Sequence, residues 1–315
     1  MKYINEFREG DNIYGIYYCR QKNELRTKSD KPYYAMILQD KTGTIDAKIW
    51  DVNSGGIEEF EAGDFVDVQG QVTKFQSALQ MSVHRARRCR EGEYNLEEYL
   101  PTTEKDPASM YKELMQILDQ VKAPYYRALL SSFFGDETFR KDFCKHSAAK
   151  TLHHGFMGGL LEHTLGVVKI CNYMASQYPI LNRDLLLVSA VLHDVGKLDE
   201  ISDFPENDYT DAGQLLGHIY IGAKWIEEKA EQIPDFPEKQ KRELVHCILA
   251  HHGELEFGSP KKPALIEAMV LSMADNLDAK VAMFTEALKA AGPRNDWLGF
   301  NKVMESNIRR TSGEE

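Results

Sequence analysis

The stretch LLLVSAVLHDVGK, residues 185–197, decides how the chain is read. Its apolar run has the composition of a buried helix, and it closes on a polar pair, His193 and Asp194. An imidazole and a carboxylate at the buried end of a core helix cost several kcal/mol unless something compensates. A divalent cation compensates well, since imidazole nitrogen and carboxylate oxygen are ligands that suit Mn, Fe, Co, Ni or Zn.

Outward from this stretch the same pattern recurs. His163 sits in GGLLEHTLGVV, His218 in LLGHIYIGAKWI, His251 and His252 at the end of LVHCILAHHGE, and Asp275 in EAMVLSMADNLDAK. Each places a potential ligand in an apolar context, and five such segments are hard to assign to separate accidents. Asp278, three residues beyond Asp275, shares nearly the same helical face and is either an acid that orients a ligating histidine or an exposed one. Lys197, four residues after His193, projects from the same side if the helix continues. It is then a charge for phosphoryl or leaving oxygens; otherwise it is a solvated lysine. His153 and His154, in KTLHHGFMGG, are either substrate contacts at the mouth of the site or polar residues of a loop. His84, His146 and His246 read as structural.

A period of 3.6 governs everything after Ser109, with helices expected over 110–121, 125–134, 137–145, 159–177, 183–193, 212–232, 238–250 and 264–290. Prolines 124, 179, 234, 237, 260, 263 and 293 punctuate their borders. The first 90 or so residues instead alternate with period two, over 12–20, 33–40, 44–50, 64–75 and 78–85. Ile45, Ala47 and Ile49 fall on one face and Asp46, Lys48 and Trp50 on the other. Residues 53–62 are expected as a short helix or loop. Five short strands in about 80 residues suggest a small barrel of the OB-fold type. The expected architecture is multidomain α and β: an N-terminal β-barrel (1–92), an acidic, proline-bearing linker (93–108) and an all-α helical domain (109–315), with a polar, frayed C-terminus.

Small barrels of this kind hold single-stranded nucleic acid by stacking aromatics and local positive charge. Tyr33, Tyr34, Trp50 and Phe75 are the candidate platforms, and Lys48, Arg85 and Arg87 the candidate cations. A basic loop is expected between the first two strands, with Arg20, Lys22, Arg26, Lys28 and Lys31. The alternative for the aromatics is core, and for the loop simple solvation.

The order H…HD…H…HH…D, carried by His163, His193-Asp194, His218, His251-His252 and Asp275, resembles the HD-domain phosphohydrolases. The resemblance implies an all-helical fold with a minimal metal site of His163, His193, Asp194 and Asp275. The further histidines 218, 251 and 252 resemble the subgroup that binds two metals, with Asp194 as the bridge and a catalytic residue. Cyclic-dinucleotide phosphodiesterases of that superfamily carry Gly-Tyr-Pro soon after the histidine pair; here His252 is followed by GELEFGSP. A barrel followed by GGLLEHT, LHDVGK and AHHGE is similar to the YhaM-type 3′→5′ exoribonucleases over essentially the whole chain. That resemblance implies hydrolysis of single-stranded RNA, and of some DNA, to nucleoside 5′-monophosphates with Mn²⁺ or a similar divalent ion (Co²⁺, Fe²⁺, Ni²⁺ or Zn²⁺).

Composition bounds these expectations. The 315 residues suffice for two ordinary domains, and 43% hydrophobic content is that of a globular protein. A net charge of −11 argues against a broad duplex-binding surface but not against a local basic groove. Five scattered cysteines without a C-x-x-C read as reduced thiols, and no apolar run suggests a membrane span or signal peptide, so the cytoplasm is the expected location. A homo-oligomer is expected. Two other functions remain open: an HD hydrolase of free or cyclic nucleotides, and a nucleic-acid-binding protein with an inactive HD domain.

Overall fold

A computed structural model describes residues 1–76, 78–100, 102–150, 155–290, 296–302 and 304–312. The chain divides into two compact units, Met1–Thr102 with Asp203–Asn207, and Thr103–Ser202 with Asp208–Glu315. No helix among the described residues is long and apolar enough to cross a membrane.

The first unit is a closed barrel of β1 (Asn12–Arg26), β2 (Pro32–Asp40), β3 (Gly43–Ile49), β4 (Phe65–Phe75) and β5 (Ala78–Arg88), in the order β1-β2-β3-β5-β4. β1 closes the ring on β4, and only the short β3–β5 pairing is parallel. Closure removes the edges that would otherwise offer unpaired backbone groups. Ile45, Ala47 and Ile49 point into the core with Ile13, Tyr17, Leu38, Val66, Val68, Val72 and Met81. Asp46 and Trp50 are exposed and Lys48 is half-buried, as the alternation requires.

One expectation about this unit changes, and for residues 53–62 the loop alternative is the one formed. β1 runs to Arg26, so Arg20, Lys22 and Arg26 lie on a strand, and only Lys28 and Lys31 lie in the turn. The outer part of β1 is exposed on both faces, so it carries no alternation to reveal it. Residues 53–62 form turns without a helix, and Phe60 packs into the barrel core. Beyond β5, Tyr94 stacks on Phe65 at 3.8 Å between ring centroids, and Tyr99 and Leu100 are buried.

The second unit is helical. α1 (Pro107–Leu118), α2 (Pro124–Phe134) and α3 (Glu137–Lys145) lead into α4 (Gly159–Gln177) and α5 (Arg183–Leu192). α6 (Lys197–Glu200), α7 (Asp211–Glu231), α8 (Glu238–Leu249) and α9 (Ile266–Ala290) complete it. α4 packs on both α5 and α9. Every residue of α5 from Leu185 to Leu192 is buried, which is why the run is apolar on all sides. Its start is fixed by Asn182, whose side chain accepts a hydrogen bond from the Leu185 N–H at 3.1 Å. α5 stops at Leu192; His193–Gly196 form a turn, and Lys197 opens a new helix rather than continuing the old one.

The unit is not all-α. A hairpin of β6 (Trp297–Asn301) and β7 (Ser306–Arg309) follows α9 in a stretch for which no element was expected. Its strands of five and four residues are too short, and one is too irregular, to show a period in sequence.

Because Leu187 is fully buried in α5, Leu187→Ala is expected to destabilise the helical unit by about 2–5 kcal/mol. A lower urea midpoint at unchanged slope checks this; an unchanged midpoint would contradict the packing described.

Candidate metal centre

Seven side chains from five helices and their ends converge in the second unit. α4 supplies His163, the turn after α5 supplies His193 and Asp194, and α7 supplies His218. The residues just past α8 supply His251 and His252, and α9 supplies Asp275. They form two trios whose ligand atoms lie within 4.8 Å of one another: His163, His193 and Asp275, and His218, His251 and His252.

Asp194 faces both. Its Oδ2 lies 3.3 Å from His193 Nε2 and 3.5 Å from His163 Nε2. Its Oδ1 lies 3.5 Å from His218 Nε2 and 3.7 Å from His251 Nε2.

Each imidazole is held by its other nitrogen. His193 Nδ1 donates to the Ala190 carbonyl at 2.8 Å, His251 Nδ1 to the Ile248 carbonyl at 2.7 Å and His252 Nδ1 to the Phe257 carbonyl at 2.7 Å. His163 Nδ1 meets Asp278 Oδ2 at 2.8 Å, and His218 Nδ1 meets Glu200 Oε1 at 2.8 Å. A carbonyl or carboxylate oxygen only accepts, so Nδ1 is the donor in each bond and Nε2 is the nitrogen that points inward. Asp278 therefore orients a ligand candidate rather than facing solvent.

Among the described residues, Asp194 Oδ1, His218 Nε2 and His251 Nε2 are buried without a hydrogen-bond partner. Three orphaned acceptors aimed at one place would be costly in a protein that bound nothing there, and a cation satisfies all three. These residues fit a divalent metal.

At Asp194, His251 and His252 the electrostatics agree with that assignment, while His163 is held charged by its carboxylate neighbours. Burial opposes charge on Asp194, but the imidazoles and Lys197 around it hold the carboxyl well below the usual carboxylate range. Burial, helped by His252 and His193, keeps the His251 pKa well below that of a free imidazole. Burial and His218 also lower the His252 pKa, so both are neutral, as metal ligands must be. At His163 burial disfavours charge, but the carboxylates of Asp275 and Asp278 outweigh it and raise the pKa to about 9. Lys197 Nζ lies 2.7 Å from Asp194 Oδ2, reached from the start of α6 rather than from a continued α5.

Two glycines make this geometry possible. Gly217 has φ +74° inside α7, outside the helical region. The kink frees the His218 N–H, which donates to the same Glu200 oxygen that receives His218 Nδ1–H. Gly166, on α4, lies against Asp278: a Cβ there would stand 2.0 Å from Asp278 Oδ1. Glu200, Gly217, Gly166 and the Phe257 carbonyl are not marked in the sequence. Only Glu200 carries a signal, an acid near the HD turn.

The candidate strand-binding residues are dispersed. Tyr33 and Trp50 stack at 5.0 Å, and Lys48 Nζ lies 5.3 Å from the Trp50 ring and 5.6 Å from that of Phe75. The structure thus brings Tyr33, Lys48, Trp50 and Phe75 together on the outside of the barrel. Tyr34 packs against the barrel core under Lys22, away from that patch. Arg87 is engaged by Glu93 at 2.9 Å and Asp67 at 3.4 Å, while Arg85 is exposed on β5 opposite Gln69. His153 and His154 lie outside the described residues.

The family described as the HD domain matches residues 160–280, the span from α4 to the middle of α9. The 3'-5' exoribonuclease YhaM of Geobacillus sp. (strain WCH70) is 33% identical over 264 residues, 84% of this chain and 81% of that protein. The protein of the same name from Shouchella clausii (strain KSM-K16) is 31% identical over 294 residues, 93% of this chain and 91% of its own. This chain belongs to the YhaM family. The solution structure of the second OB-fold domain of replication protein A from Methanococcus maripaludis is similar over 30% of this chain and 98% of that one, at 22% identity and a TM-score of 0.22. The YhaM relatives span barrel and helical unit alike, so both belong to the family's common body.

Asp278→Ala in this YhaM family member is expected to weaken Mn²⁺ binding roughly 10–100-fold, as loss of a histidine-orienting partner does. Gly166→Ala is expected to weaken it in the same direction without removing a charge. Calorimetric titration of the metal-free proteins measures both; affinities equal to that of the unaltered protein would refute the orienting role.

Proposed function

We propose that this chain is a metal-dependent exoribonuclease that shortens single-stranded RNA from its 3′ end, releasing nucleoside 5′-monophosphates. The observation that carries it is Asp194, with one carboxylate oxygen turned to each ligand trio. His163, His193 and Asp275 would hold one divalent ion, and His218, His251 and His252 the other, with Asp194 shared. When bound, two such ions supply an activated water and charge neutralisation at the phosphoryl group. Mn²⁺ is the expected ion, and single-stranded DNA a further substrate.

The chain's own residues do the rest. The five Nδ1 bonds fix the ligand set before substrate arrives, so little reorganisation accompanies the reaction. The Lys197 ammonium stays charged, because Asp194 outweighs the effect of its burial. It stabilises negative charge on the leaving 3′-oxygen as the phosphorus–oxygen bond breaks. Tyr33, Trp50 and Phe75 offer ring faces and Lys48 a cation, the combination that holds single strands without sequence preference. The names of the relatives, 3'-5' exoribonuclease, support the direction of attack.

With Mn²⁺ and a 5′-labelled single-stranded 20-mer, a ladder of shortening products is expected, abolished by EDTA and restored by Mn²⁺. Asp194→Ala is expected to lower cleavage by at least about 10³-fold while RNA affinity stays within about threefold. Uncut RNA together with turnover of free nucleotides would reject the proposal in favour of a nucleotide hydrolase. Binding without any hydrolysis would make the HD unit inactive. Trp50→Ala is expected to raise KM for the 20-mer by about 5–100-fold, the worth of one stacked base, with kcat unchanged.

A further inference from the structure

The hairpin of β6 and β7 presents an arrangement that the metal centre does not use. Trp297 pairs with Arg309, Gly299 with Ile308 and Phe300 with Asn307, with a bulge between Trp297 and Gly299. Directly paired residues share a face, and Arg309 and Asn307 lie on the face opposite Ile308. The extra residue therefore brings Trp297 and Phe300, three apart in sequence, onto one side. Without the bulge they would point to opposite sides. Ile308 is buried, while Trp297 and Phe300 are 62% and 63% exposed. Arg309 lies over the Trp297 ring, 5.8 Å from its centroid. The flanking Asp296 reaches Arg309 only at 3.8 Å, and both side chains are largely exposed, so the pair is weak.

The hairpin is anchored beside the catalytic helix. The Arg310 side chain donates to the Leu288 carbonyl near the end of α9, at 2.7 Å, and its N–H to the Asp296 carbonyl at 2.7 Å. Along α9, Leu288 stands roughly 20 Å from Asp275 at about 1.5 Å per residue. A stacked single strand covers that distance in about six nucleotides at roughly 3.4 Å each.

We propose that the Trp297–Phe300–Arg309 face is a second single-strand contact, which stacks bases about six nucleotides upstream of the 3′ end held at the metal centre. This rests on the ribonuclease reading of that centre. The face carries two ring platforms about 7 Å apart, the spacing of alternate residues on a strand. It carries a guanidinium and an amide, and no carboxylate among its four paired positions. A polyanionic strand with flat bases matches that chemistry better than an apolar protein surface does.

The test uses the full chain loaded with Mn²⁺ and the double variant W297A/F300A, with W297F/F300Y as the ring-retaining control. Kinetics are followed on a 20-mer and on a dinucleotide, and sedimentation gives the mass. The double variant is expected to raise KM for the 20-mer at least about fivefold, leave its kcat unchanged and leave the dinucleotide within about twofold. The ring-retaining variant is expected to restore KM. An unchanged KM for the 20-mer overturns the proposal, as does an equal loss on both substrates. A fall in mass with KM unchanged also overturns it and makes the face a protein interface. Anisotropy of a labelled 20-mer in an Asp194→Ala background reads the contact without cleavage. If the unaltered enzyme cuts no RNA, the ribonuclease reading fails, and the anisotropy still decides whether the face binds a strand.

Discussion

Five imidazoles and two carboxylates can share one centre only if each ring is prevented from turning. The bonds from Nδ1 to Ala190, Ile248, Phe257, Asp278 and Glu200 impose that constraint. A histidine with both nitrogens free would present either edge, and the centre would be an ensemble of partial sites. Three of the five acceptors are main-chain carbonyls, which no side-chain substitution removes. Two of those, Ala190 and Ile248, lie three residues before the histidine they hold. The end of an α-helix supplies such a carbonyl, since its last acceptors have no intrahelical partner. Placing His193 and His251 immediately beyond helices thus solves orientation and backbone satisfaction together.

The core explains why those helix ends stay in place. α5 is buried along its whole length from Leu185, and so cannot rotate without breaking close packing on every side. Its neighbours α4 and α9 bring His163 and Asp275 to it, and Gly166 leaves room for Asp278 to pass between them. Packing energy and chemistry are in this sense separable: the aliphatic residues fix the helices, and the small residues decide how closely polar groups approach.

This separation also decides what could be read in the sequence. The seven ligand candidates stood out because polar atoms in apolar runs violate a pattern, and the barrel strands because Ile45, Ala47 and Ile49 keep one. The outer half of β1 was missed because both its faces meet water. A continuous helix would put Lys197 on the side of His193; it meets Asp194 because the chain turns at His193–Gly196 and starts again. The hairpin was invisible because its one informative feature is a bulge, which breaks the alternation that marks strands. Glu200 and Gly217 belong to contacts between distant segments, and no local period records them.

Asp194 has one further consequence. An ion held by the first trio and an ion held by the second would draw on the same carboxylate, each through one oxygen. If both positions were filled, their occupancies would be linked, and by thermodynamic reciprocity each would alter the affinity of the other by the same factor. The shared negative charge would be divided rather than duplicated, so a first ion would meet a more strongly attracting centre than a second, and a metal titration would report on the pair.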